Sequence, residues 1–351
     1  MTIIDLRSDT VTQPTLAMRK AMFDAPLGDD NYQEDPLTKE LEAQAAALLG
    51  KEAGLLVTSG HQGNLVSILT HCNRGDEMIV GNTAHIYLSE VGSASGLGGV
   101  HPRAVLDKGG IPTVNDVEDA IRSGYNIHWP NSALLCLENT HNFASGTPTR
   151  PEQVNELADL AHANQMKVHI DGARLFNAAV YFGIPARELV AQADSVTFCL
   201  SKGLSCPLGS LICGTQEFIV RARKIRKMLG GGMRQSGFIA AAGLVALETM
   251  INRLAEDHDN AKRLAVGLSA IPGIDLDPDV VKTNILYFEV PGTVEEFCKE
   301  LKTKDVLCNS YLTQSGKRVR MVTHHGLTAE DVDVALEAIE SVVVAGKRVL
   351  K

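Results

Sequence analysis

Four apolar runs in this chain each end on residues able to do chemistry. GLLV is followed by Thr58-Ser59-Gly60-His61, ALLCLEN by Thr140-His141-Asn142, KVHI by Asp171-Gly172-Ala173-Arg174, and SVTFCL by Ser201-Lys202-Gly203. Singly, each has an ordinary structural use: an aspartate after a strand caps a turn, and a lysine is usually solvated. Together they supply a carboxylate, an amine, an imidazole and a small-residue loop. A lysine flanked by apolar strand is partly desolvated, which favours the neutral amine and its Schiff base with an aldehyde. An aspartate set against a pyridine nitrogen keeps that ring protonated and ready to accept the electrons of a Cα carbanion. SGHQGN, opening a helix, offers backbone N–H groups to a phosphate at the positive end of the helix dipole. One cofactor, pyridoxal 5′-phosphate, accounts for all three features.

These residues need a scaffold that gathers strand ends. Apolar runs at GLLV, EMIV, ALLCLEN, KVHID, SVTFCLS and SLICG alternate with helical patterns at AHIYLSEVG, VNDVEDAIR and PEQVNELADLAHANQ. Such alternation, with few hairpin turns, predicts crossover connections and a mainly parallel α/β sheet covered by helices on both faces. Ligands of such sheets sit beyond the carboxyl ends of the strands. Leu37, Leu41, Ala45 and Leu48 predict a helix over 36–49 stopped by Gly50. From Glu217 to Leu268 the pattern is mostly helical, broken by LGGGMRQSG, and the remainder reads as a smaller α+β unit. A boundary between Ala255 and Ile271 gives a large cofactor-binding domain at 1–255, including an N-terminal arm, and a small C-terminal domain at 256–351.

At 351 residues, with 44% hydrophobic and 21% charged, the composition is that of a globular protein. A formal net charge of -9, with both signs mixed along the chain, argues against nucleic-acid or anionic-membrane partners. The first ten residues are polar, and no apolar run approaches the roughly 18 residues that span a bilayer, so a cytoplasmic location is expected. The seven cysteines form no CxxC pair and read as reduced core thiols. Cys206, beside the lysine loop, is the exception to watch. No metal is expected.

IDLRSDTVTQPT, GDDNYQEDPLTKELE, TSGHQGN, AHIYLSEVG, LENTHN, HIDGARLFNA, SKGL with PLGSLICG, LGGGMRQSG and VRMVTH resemble the motifs of the low-specificity L-threonine aldolases, fold type I pyridoxal phosphate enzymes. The similarity runs in unbroken order along nearly the whole chain. DGAR followed by SKGL at this interval, together with LRSDTVT and GGGMRQ, is its most specific part. It implies a fold type I transferase-like architecture: a mainly parallel seven-stranded sheet sandwiched by helices, plus the smaller α+β domain.

The same resemblance makes Lys202 the Schiff-base lysine, Asp171 the partner of the pyridine nitrogen, and Gly60 with His61 the phosphate loop. His85 would stack on the pyridine ring. Ser8, Arg174 and Arg320 would hold the substrate carboxylate, a task that suits the planar fork of arginine. His141 would lie near the substrate hydroxyl, and Tyr32 would line the site. The family is a tetramer built from dimers with shared active sites, and Lys227 and Arg234 match residues that reach the partner's cofactor phosphate. Two departures stand out. The family's SGT is SGH here, placing His61 where a threonine hydroxyl would bond phosphate, and Asn31 and Gln33 replace the commoner VYGED wording at the substrate mouth.

The implied reaction splits L-threonine, L-allo-threonine or a related β-hydroxy-α-amino acid such as phenylserine into glycine and an aldehyde. The base that takes the hydroxyl proton is left open between His141, His85 and a water held between them. Two alternatives remain at this stage: another fold type I enzyme, namely a transaldolase, β-eliminating lyase or aminotransferase, and a non-catalytic binding protein.

Overall fold

The computed structural model describes residues 3–313 and 316–349. In chain order its strands are β1 (Ile4–Asp5), β2 (Ala53–Val57), β3 (Glu77–Gly81), β4 (His101–Val105), β5 (Ser132–Glu138), β6 (Lys167–Asp171), β7 (Ser195–Cys199), β8 (Ser210–Gly214), β9 (Ile285–Phe288), β10 (Val306–Leu307), β11 (Asn309–Thr313) and β12 (Gly316–Val322). A seven-stranded sheet runs in the order β2-β8-β7-β6-β5-β3-β4. Its pairs are parallel except that β8 is antiparallel to both neighbours. The carboxyl ends of β2 to β7 therefore point to one edge of the sheet, and β8 brings its first residue, Ser210, to that same edge.

Alternate residues of these strands feed cores on opposite faces, as the two-residue period of a strand requires. Leu56 packs with Leu41, Ala45, Val154, Leu175 and Ala240 on one face, while Leu55 and Val57 pack with Val66, Phe218 and Ile219 on the other. This double burial is why the inner strands read as unbroken apolar runs. The helix Pro36–Leu48 starts after Asp35, whose carboxylate accepts the Thr38 N–H at 2.9 Å, and it stops before Gly50 at φ +62°. That matches the expected span to within a residue.

Two expectations needed correction. AHIYLSEVG and VNDVEDAIR form only the short helices His85–Leu88 and Val114–Glu118. The strand β4, HPRAV, was missed, because it is a half-exposed edge strand carrying Pro102 and Arg103 and shows no apolar run.

A second core joins the helices Leu254–Ser269, Val294–Lys302 and Ala329–Val349 to the antiparallel sheet β11-β12-β9. Ile4 and Leu6 belong to this core, with β1 pairing parallel to β10, whereas Asp9 turns toward the large sheet. The arm thus links the two units. Among the described residues no single helix is long and apolar enough to cross a membrane.

Candidate active site

Asp171 ends β6 and is 1% exposed. Its Oδ2 accepts a hydrogen bond from the Asn64 amide at 2.9 Å, and its Oδ1 accepts the Ala173 N–H at 3.1 Å. Asn64 lies in the helix Gly60–His71, which Ser59 caps by accepting the Gln62 N–H at 3.1 Å. A Cβ on Gly60 would come within 2.8 Å of Cys199 Sγ, so only glycine lets the loop settle on the end of β7. The amides of Gly60 and His61 precede the helix's own ladder and are free for an anion.

Lys202 is half-buried in the turn between β7 and β8. Its carbonyl accepts from the Thr12 hydroxyl at 3.0 Å and the Ser205 N–H at 2.9 Å, so the arm and the turn fix its backbone together. Cys206, the thiol set apart by its position in sequence, is 2% exposed and burial pushes it up to about 12, which removes the thiolate a reactive cysteine needs.

His85 follows β3. Its backbone N–H donates to Glu138 at 2.7 Å, and its Nδ1 lies 3.0 Å from Glu90 Oε1. Burial alone would lower this histidine, but the bond to Glu90 and the charges of Asp171 and Glu138 raise it above its ordinary value. Glu90 is 1% exposed, and burial raises its carboxyl. His85, Glu90 and Asp171 bring one atom each within 4.8 Å of one another. His61 turns toward this group rather than standing apart: its Nε2 is 3.0 Å from Ser93 Oγ and 4.0 Å from Glu90.

His141, after β5, is 1% exposed. Its Nδ1 accepts the Ala144 N–H at 3.2 Å, and its Nε2 faces Asp107 at 3.4 Å and Glu138 at 3.6 Å, distances of ion pairing rather than aligned hydrogen bonds. Burial opposes its charge, but Glu138 and Asp107 together raise it.

Arg174 grips Asp9 with Nε and Nη2, both at 2.7 Å. Burial would raise the Asp9 carboxyl, but Arg174, Lys202 and Arg320 hold it well below the usual carboxylate range. Arg320 is 2% exposed; it donates to the Arg7 carbonyl at 3.1 Å and to Asn142 Oδ1 at 3.0 Å, beneath the rings of Tyr287 and Tyr311. Its Nε is buried without a hydrogen-bond partner. Ser8 accepts the Thr10 N–H at 3.3 Å beside Asp9. Of these two buried guanidiniums only Arg174 pairs with a carboxylate among the described residues, so Arg320 leaves this corner a positive charge suited to a second carboxylate.

Lys227, Arg234 and Tyr32 lie elsewhere within the chain. They line an open groove of about 810 Å³ together with Asn31, Gln33 and Arg223. Arg234 pairs with Asp29 at 3.0 Å on the surface, and Lys227 is 3.5 Å from Asn31. The glycine run between them lies against the Gln62 side chain, which a Cβ on Gly231 would meet.

Sequence reasoning did not single out Asp9, Glu90, Asn64, Asp107 or Glu138. Asp9 and Glu90 stand inside the motifs LRSDT and AHIYLSEVG, and an acid five residues after His85 was the available signal for the latter. The buried polar set fits pyridoxal phosphate on one observation above the rest. Asp171 is a deeply buried carboxylate that meets only neutral donors and makes no ion pair among the described residues, the environment expected of a partner for a protonated ring nitrogen.

The β-eliminating lyase family model matches residues 5–291. The chain is 43% identical over 347 residues to low-specificity L-threonine aldolase 1 of Arabidopsis thaliana, covering 97% of this chain and 96% of that one. It is 42% identical over 335 residues to the low specificity L-threonine aldolase of Escherichia coli K12, covering 94% and 96%. The fold matches a solved Leishmania major threonine aldolase at TM-score 0.82 over 97% of this chain and 99% of that one, at 17% identity. The family match and these relatives define a lyase, and the fold is the type I scaffold. Within that class, the chain belongs to the β-eliminating lyase family and, inside it, to the low-specificity L-threonine aldolases.

Proposed function

We infer that this chain is a pyridoxal phosphate-dependent aldehyde-lyase that cleaves L-threonine, L-allo-threonine or a related β-hydroxy-α-amino acid to glycine and an aldehyde. The carrying observation is the gathering of Asp171, Lys202, His85 and the Arg174–Asp9–Arg320 corner at one sheet edge in a family of this activity. When bound, the cofactor supplies an aldehyde for an amine and a conjugated, protonated ring that accepts the electrons of the breaking Cα–Cβ bond.

Lys202 offers the amine, and Asp171 holds the proton on the ring nitrogen. The amides of Gly60 and His61 would take the phosphate, and His85 would stack on the ring. Arg320 and the remaining Nη1 of Arg174, with Ser8, would fix the substrate carboxylate and so orient its Cα–Cβ bond for cleavage. His85 is the better placed of the two histidines to move a proton. Its Nδ1 is held by Glu90, and its Nε2 has no partner among the described residues, whereas His141 is enclosed between two carboxylates. His141 then keeps its Nε2 proton between Asp107 and Glu138 and lines the site near the substrate hydroxyl without bonding it directly.

Lys227, Arg234 and Tyr32 serve the neighbouring chain in a tetramer built from dimers. Their place in an exposed groove, away from Lys202, supports that reading. The buried free thiols suit a reducing compartment such as the cytoplasm. Purified protein given pyridoxal phosphate and, in turn, L-threonine, L-allo-threonine and β-phenylserine should yield glycine and free aldehyde. Keto acid or an exchanged amino group as the main product would overturn the assignment in favour of an aminotransferase or eliminating lyase.

A further inference from the structure

Behind Asp171, on the side away from Lys202's turn, the interior holds polar side chains that the mechanism does not use. His169 precedes Asp171 by two residues in β6, so both point to one face of the sheet, and Ser195 stands opposite His169 in β7. His169 Nδ1 is 2.8 Å from Ser195 Oγ, and His169 Nε2 is 3.1 Å from Asn64 Oδ1. The Asn64 amide nitrogen donates to Asp171 at 2.9 Å and to Glu90 at 2.8 Å. At the far end, His71 Nε2 is 2.8 Å from the same Ser195 Oγ, with its ring stacked on Phe218. A Cβ on Gly63 would reach 2.6 Å from Thr197, so glycine brings the helix close enough to β7 for Asn64 to make these contacts.

The chemistry of the groups gives the chain a direction. Two carboxylates can only receive from Asn64, so its nitrogen must face them and its oxygen must face His169. His169 then donates from Nε2, which leaves Nδ1 bare to accept the Ser195 hydroxyl proton. Ser195, having donated, accepts from His71. Burial keeps both rings neutral, lowering His169 to about 4 and His71 to about 3, so each has a single N–H to give at neutral pH.

We propose that His71, Ser195, His169 and Asn64 form a one-way hydrogen-bond relay, every donor pointing to Asp171, that positions this carboxylate against the cofactor's ring nitrogen. These are positioning residues, and the role rests on the reading of Asp171 given above. The partnering of buried polar groups would explain each bond by itself. What it leaves unexplained is four polar side chains in series ending on the carboxylate of the site, where apolar residues would pack as well.

The test uses the holoenzyme, with cofactor retention read by equilibrium dialysis and the His169 tautomer read by nitrogen-15 NMR. In the wild type, His169 should be neutral and protonated at Nε2. Ser195→Ala removes the hydroxyl that fixes Nδ1, so a population protonated at Nδ1 should appear and retention should weaken about three- to tenfold. Ser195→Thr, which restores a hydroxyl, should recover both. A wild-type His169 protonated at Nδ1, or a Ser195→Ala protein with unchanged tautomer and retention, overturns the relay while leaving the assignment of Asp171 intact. A wild type that retains no cofactor overturns that assignment, and the relay with it.

Discussion

Glu90 decides how His85 can work. It occupies Nδ1 of the ring, leaves Nε2 as the only nitrogen able to take a proton, and with its neighbours raises the histidine above its ordinary value. Glu90→Gln keeps a hydrogen-bond acceptor but removes the charge, so His85 should titrate lower because burial is then less opposed. If His85 takes the hydroxyl proton, the acid limb of the kcat/KM profile should move to lower pH, since the base becomes free sooner as acid is withdrawn. An unmoved limb assigns the base to His141 or water. His61→Thr restores the family's loop wording, and turnover should survive with cofactor held more tightly. A large loss of turnover would instead show that the contacts of His61 with Ser93 and Glu90 position the site.

At the scale of elements, β6 and β7 were legible in sequence because both faces are buried, and each hands its next residues straight to the site. Lys202 and Asp171 could therefore be placed from the runs that precede them. The partners could not. Asp9 meets Arg174 across 165 residues, and Asn64 meets Asp171 across 107, contacts set by tertiary packing with no local period to betray them. β4 escaped for the opposite reason: an edge strand has one solvated side and needs no apolar run. The sharpest element-level dependence is the seating of helix Gly60–His71 on β7. Gly63→Ala should force the helix off Thr197, costing about 1–3 kcal/mol in chemical denaturation and displacing both the phosphate-binding amides and Asn64. Unchanged stability would mean that the seat is looser than 2.6 Å implies.

The whole molecule carries an acid-sensitive interior. Burial lowers His71 to about 3 and His169 and His258 to about 4, whereas an unfolded histidine titrates near 6.5. Between those values the unfolded chain binds more protons than the native one, so the contribution of these groups is complete above pH 6.5 and is lost as pH falls toward 4. Asp257 pulls the other way. Burial raises its carboxyl to about 7, so its contribution is present in acid and lost as pH rises through that value. Glu42 and Glu90, whose carboxyls burial also raises, act in the same sense as Asp257, and His325 adds a fourth lowered histidine. The large shifts of His71, His169 and His258 outweigh them, so the melting temperature should drop between pH 6.5 and pH 4.5, reflecting a loss on the order of a few kcal/mol; a flat or rising profile would contradict it. The two cores, joined by the arm through Ile4, Leu6 and Asp9, bring Arg320 from one unit to the charges of Asp9, Arg174 and Lys202 in the other. The most direct test of that assembly compares the wild type with Lys202→Ala on L-allo-threonine in the presence of pyridoxal phosphate. The wild type should form glycine and acetaldehyde in equal amounts, and Lys202→Ala, folded as judged by circular dichroism, should form neither. Turnover that survives in Lys202→Ala, or a wild type that makes neither product, would contradict the account.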